Sequence, residues 1–108
     1  MGQRRDQLGE LPDPRAFAEC SSWVKDLAAV DSELRRVFEK WGEQTLTLLD
    51  WTSVLGEEFG EVCRAVNVFE FGTHGEDDLD HVYGEAIQTA AVAIHMAAII
   101  REARSHTA

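Results

Sequence analysis

Positive charge is scarce in this chain of 108 residues: 10 lysines and arginines stand against 20 aspartates and glutamates, a formal charge of -10. A nucleic-acid backbone or an anionic membrane needs a basic face, so neither is expected as a partner. A nucleotide stays admissible where a metal bridges the charges. Cysteine is scarce as well. Cys20 and Cys63 lack metal-type spacing, and two inert thiols in a reduced, cytoplasmic protein are the simplest expectation. No run reaches the ~18 apolar residues of a membrane span, and the polar start Gly2-Gln3-Arg4-Arg5-Asp6 does not read as a signal peptide. Alternation of the β type is absent at any length, which leaves an all-α fold.

The length suits one domain, small enough that oligomerisation would help it bury apolar surface. Residues 1–12 are polar and carry Gly9 and Pro12, which suggests a flexible tail ahead of a helical domain over 13–108. Asp13-Pro14 suits a cap followed by proline in the first turn, after which Phe17, Cys20, Val24 and Leu27 recur at helical spacing. The pattern runs on through Val30, Leu34, Val37 and Trp41 to Gly42, as one helix or as two broken at Asp31-Ser32. Thr47 and Asp50 form a capping pair for a second stretch, with Leu48, Leu55, Phe59, Val62 and Val66 as its apolar stripe. Gly72-Thr73-His74-Gly75 closes that stretch, and the acids Glu76, Asp77, Asp78 and Asp80 suit the start of the next helix, where they complement its dipole. From about Leu79 to Arg104 the chain is rich in alanine and apolar on nearly all sides, which predicts a central helix of an oligomeric bundle. Arg101 and Arg104 then balance the end of its dipole.

The chemistry lies in the acids. Glu57, Glu58 and Glu61 crowd one helix beside the apolar stripe, and Glu85 and Gln88 repeat the three-residue step on the last helix. No basic residue follows four positions after Glu57, Glu58 or Glu85 to form the usual helix ion pair. If the two helices pack together the carboxylates converge, and each like-charge pair at ~5 Å costs roughly 3 kcal/mol at an effective dielectric of 20. A divalent cation relieves that cost. Oxygen-only ligands favour Mg²⁺, with Mn²⁺ as the alternative, over zinc or copper. A di-iron bundle needs Glu-x-x-His pairs, which Glu61 to Arg64 and Glu85 to Gln88 do not provide.

The run Glu57-Glu58-x-x-Glu61 followed by Glu85-x-x-Gln88 resembles the EExxE…ExxD signature of MazG-like nucleoside triphosphate pyrophosphohydrolases, the all-α NTP-PPase superfamily. Lys40-Trp41-Gly42-Glu43-Gln44 and Trp51-x-x-Val54-Leu55 are similar to the stretch before the acidic motif in short members, and the likeness spans about Arg35 to Ile100. It departs where Gln88 stands in place of the usual Asp, removing one negative charge. The resemblance implies a MazG-like helical bundle whose core is completed in a homodimer or homotetramer. It also implies Mg²⁺-dependent hydrolysis of a nucleoside triphosphate to the monophosphate and pyrophosphate, in nucleotide-pool house-cleaning. Glu58, Glu61 and Glu85 would then be metal ligands, Gln88 would take the fourth position, and Glu57 would orient or deprotonate the attacking water.

Trp41, Gln44 and Trp51 are candidates for a base pocket, since an indole stacks on a base and an amide reads its edge. Lys40, Arg64 and Asn67 are placed to reach phosphates from the flanks of the acidic helix. His95 shares a face with Glu85 and Gln88 and is expected to be packed rather than a ligand. The competing expectation is a non-catalytic helical oligomer that binds a nucleotide or a protein, its site disabled by the amide at Gln88.

Overall fold

A computed structural model of the chain describes residues 23–42, 45–72 and 79–107, without the side chains of Trp41 and Thr107. The expected tail, the start of the first helix with Phe17 and Cys20, Gln44, and the acidic run 76–78 lie outside the described residues. Within them the chain is all helical. Three helices follow in order: α1 (Val24–Trp41), α2 (Leu48–Phe71) and α3 (Leu79–Thr107).

Over its described length α1 runs unbroken through Asp31 and Ser32, so these two residues do not divide it. Their charges are used along the helix instead, with Asp31 paired to Arg35 one turn on at 2.8 Å. The helix stops at Gly42, whose N–H donates to the Phe38 carbonyl at 2.7 Å. With φ 70° and ψ −161° this residue occupies a region that only glycine enters without strain. α2 begins as the Thr47–Asp50 pair predicts. Asp50 N–H donates to Thr47 Oγ1, and Thr47 N–H donates to the Asp50 carboxylate, each at 3.1 Å.

The buried face of α2 differs from the expected stripe. Trp51, Ala65 and Phe69 are its buried residues, while Leu48, Phe59 and Val66 are 48%, 61% and 40% exposed. At 3.6 residues per turn Trp51, Leu55, Glu58, Val62, Ala65 and Phe69 form one line along the helix. Glu58 therefore lies on the packed face, two turns from Trp51 on one side and from Ala65 on the other. The edge position expected for all three acids is corrected for this one.

α3 is the central element. It packs against both α2 and α1, whereas α1 and α2 do not meet, so α3 forms the floor of a groove with the other two as walls. By length and composition alone α3 is apolar enough to cross a membrane, which corrects the expectation that no segment would be. Its polar residues Glu85, Gln88 and His95 are nonetheless half-buried, as expected for a helix covered from two sides. Tyr83 Oη donates to Asp26 at 2.7 Å and pins α1 to α3 at one end of the groove. The buried core is small, limited to Trp51, Ala65, Phe69 and Ala91 among the described residues. A radius of gyration of 16.8 Å exceeds the ~13 Å of a compact chain of about 100 residues.

Candidate metal centre

Antiparallel packing of α2 on α3 brings three glutamates together. Glu58 and Glu61 lie one turn apart on α2, Glu85 faces them from α3, and one oxygen from each falls within 4.8 Å of the others. Glu58 and Glu85 are half-buried and Glu61 is exposed, so the cluster opens to solvent on one side. Oε2 of Glu58 and Oε2 of Glu85 are shut off from water without a hydrogen-bond partner. Such orphaned acceptors are costly, and a cation satisfies both oxygens at once.

The protein's electrostatics reflect this crowding. Burial raises the Glu58 carboxyl above its ordinary range, and the charges of Glu61, Glu85, Glu33 and Glu57 push it further. Glu85 is raised first by burial and then by Glu61, through a hydrogen bond and through charge. Two ionised carboxylates cannot hydrogen-bond to each other. That contact therefore exists only when one proton is shared between them, which is why it favours protonated Glu85. The neighbouring His81 and Arg64 oppose the shift, with His81 Nε2 3.7 Å from Glu85 Oε1.

Beside the cluster lies a cavity of about 710 Å³ between the three helices, with Glu58 and Gln88 at one end and Trp51, Val54 and His95 further along. Its size falls within the range of small-molecule pockets, roughly 300–1,000 Å³. Trp51 is buried and meets His95 edge to face, which bears out a packed histidine. Two turns of α2 separate Trp51 from Glu58, about 10 Å along the axis.

The remaining sequence-derived candidates divide. Gln88 reaches the cavity next to Glu58. Glu57 is exposed and outside the carboxylate cluster, although its charge is felt by Glu58. Arg64 is exposed yet close enough to act on Glu85, Asn67 is exposed further along α2, and Lys40 is exposed in the last turn of α1. The Trp41 side chain and Gln44 lie outside the described residues.

Two residues escaped the sequence analysis. Glu33 of α1 lines the cavity and acts on Glu58, and its signal was an acid standing between Val30 and Val37 on an apolar stripe. His81, to which the sequence assigns no catalytic role, stands four residues before Glu85 and faces it one turn along α3. No protein-family model, curated protein or solved structure matches the chain.

Proposed function

We propose that this protein is a divalent-metal-dependent nucleoside triphosphate pyrophosphohydrolase of the MazG-like kind, working as a homodimer or homotetramer. The observation that carries this proposal is the convergence of Glu58, Glu61 and Glu85 oxygens within 4.8 Å, with Glu58 also lining a cavity sized for a small molecule. The donor set fits Mg²⁺ or Mn²⁺, because it is all oxygen and leaves two buried carboxylate oxygens otherwise unsatisfied. Glu58, Glu61 and Glu85 would hold the metal, with the Gln88 carbonyl oxygen as a neutral fourth donor. A divalent ion bound there neutralises charge developing on the phosphate oxygens and lowers the pKa of bound water.

The chain's own residues have separate tasks. The acidic end repels a bare polyphosphate and accepts one only as a metal complex, which restricts what enters. Arg64, on the same helix as Glu58 and Glu61, is placed to contact the outer phosphates. Glu57 stands beside the ligands without joining them, and it accepts the proton of the water that attacks the phosphoanhydride. The wall formed by Trp51, Val54 and His95 runs to Trp51, about 10 Å along the axis from Glu58, a suitable reach for a base whose phosphates sit at the acids. Phe59, Leu49 and Ile94, which are 61%, 77% and 51% exposed, support an assembly in which a second copy completes the core.

The deciding experiment is pyrophosphate release with Mg²⁺ or Mn²⁺ across standard and modified NTPs and dNTPs, with the double variant Glu58→Ala, Glu61→Ala as blank. Release that vanishes in the blank supports the hydrolase. Absence of release from every nucleotide, with metal still raising thermal stability, favours instead a binding protein disabled at Gln88. In that case Gln88→Asp should create activity where none existed.

A further inference from the structure

The metal centre leaves unused a pair of residues that α1 brings to the same cavity. Asp26, Val30, Glu33 and Val37 are half-buried and recur at helical spacing, so Glu33 occupies a register that is otherwise turned toward α3. Its side chain is 17% exposed, against 55% for Arg36. Arg36 donates to the Glu33 carboxylate through both Nε at 3.1 Å and Nη2 at 2.7 Å. Glu33, Arg36, Glu58 and Gln88 line one cavity. The neighbouring pair on the same helix is different in kind. Arg35 also lines the cavity, but it makes a single bond to Asp31, and the two side chains are 76% and 61% exposed.

We infer that Glu33 and Arg36 form an exchange pair: Arg36 leaves Glu33 for a phosphate of the bound nucleotide, and Glu33 then turns its charge toward the cation beside Glu58. This rests on the metal-dependent nucleotide hydrolase proposed above. The guanidinium fork that grips a carboxylate at two points matches a phosphate equally well, and the phosphate carries more charge. In the ligand-free protein Arg36 offsets part of the charge of Glu33, which limits what Glu33 adds to the repulsion among the acids. Breaking a partly exposed pair costs little, which makes exchange feasible once a stronger anion arrives. The freed Glu33 then supplies the negative charge that an amide at Gln88 does not. Its proximity to the centre is already felt, since its charge helps to raise Glu58.

The test uses the full chain and two probes, Mn²⁺ alone and Mn²⁺ with a dNTP analogue carrying an imido bridge between the α and β phosphorus atoms. Arg36→Ala should weaken analogue binding about tenfold or more, the loss expected for a charge-assisted hydrogen bond, while Mn²⁺ alone should bind at least as tightly as in wild type, because Glu33 is then freed of its partner. Arg36→Lys, which keeps the charge but not the fork, should lose part of that affinity and guards against a folding defect in the alanine variant. Glu33→Gln should raise severalfold the Mn²⁺ concentration needed to bind the analogue. Arg101→Ala, which breaks the exposed pair with Glu102 outside the cavity, should change neither probe by more than about twofold, as expected of a solvated pair. Equal losses in Arg101→Ala and Arg36→Ala would reduce the effect to general charge and overturn the exchange, as would an unchanged Arg36→Ala. A wild-type protein that binds Mn²⁺ but no analogue overturns the hydrolase and the exchange together.

Discussion

The imidazole of His95 meets the indole of Trp51 edge to face, with ring centroids 4.8 Å apart and planes inclined at 65°. This contact ties the middle of α3 to the first turn of α2 and forms one wall of the cavity. Trp51 is 6% exposed and is the largest side chain in a core with few members, so its truncation should be severe. Trp51→Ala is expected to cost about 3–5 kcal/mol, and His95→Ala about 1 kcal/mol through the lost ring contact. Urea unfolding at fixed protein concentration measures both, and a loss below 1 kcal/mol for Trp51→Ala would contradict its place in the core.

The carboxylate cluster predicts an unusual dependence on pH. Glu58 and Glu85 are both raised above their ordinary range, chiefly by burial. At low pH both groups are protonated in the folded and unfolded chain alike, so neither affects stability there. As pH rises the unfolded chain loses these protons first, so the folded state is progressively disfavoured, and the loss levels off at its full size once the raised pKa is passed. Metal-free protein should therefore lose stability as pH rises from the ordinary carboxylate range through the raised values of these two groups. Glu85→Gln should flatten that decline and raise Tm at neutral pH. Millimolar Mg²⁺ or Mn²⁺ should raise Tm of the wild type by binding only the folded state, and should do so less in the variant. Thermal melts across pH, with and without metal, read all of these outcomes.

Much of the helical layout was legible because it is written in local chemistry. Gly42 stops α1 with a backbone that other residues avoid, and the Thr47–Asp50 pair starts α2. The pairing of Glu58 and Glu61 with Glu85 was also legible, since helical spacing and antiparallel packing suffice to bring them together. The packed face of α2 was less so. Leu48, Phe59 and Val66 are as apolar as the residues that replace them, and hydrophobicity alone cannot tell a face covered within the chain from one that is left open. Glu33 was illegible for a related reason, because its role depends on α1 facing α2 across α3, a relationship between distant segments.

The cap of α2 gives a local prediction with a known scale. Thr47 Oγ1 accepts from Asp50 N–H, and the Asp50 carboxylate accepts in return, so both partners satisfy donors that the first turn leaves open. Thr47→Ala should cost about 1 kcal/mol. The helix carries Trp51, Glu58 and Glu61, so fraying at its start should weaken metal binding as well as stability. Calorimetric titration with Mn²⁺ would show this as a reduced affinity with the number of sites unchanged.

The open face of α2 leads to the last prediction. Leu49, Phe59 and Val66 are 77%, 61% and 40% exposed, and Gly56 and Gly60 on the same helix have no atom within 4 Å of where a Cβ would stand. Covering Phe59 would contribute roughly 1.5–3 kcal/mol per copy, and glycines allow a second helix to approach closely. Wild-type protein should therefore sediment as a dimer or tetramer. Phe59→Glu should shift it to monomer, because the new carboxylate would be buried without a partner. Gly60→Ala discriminates further. On a helix facing water it should stabilise by about 0.5–1 kcal/mol, whereas at a close helix contact the added methyl should loosen the assembly. Sedimentation of the alanine variant as a weakened oligomer would place the interface on this face, and a more stable variant of unchanged mass would move it to the exposed side of α3 around Ile94.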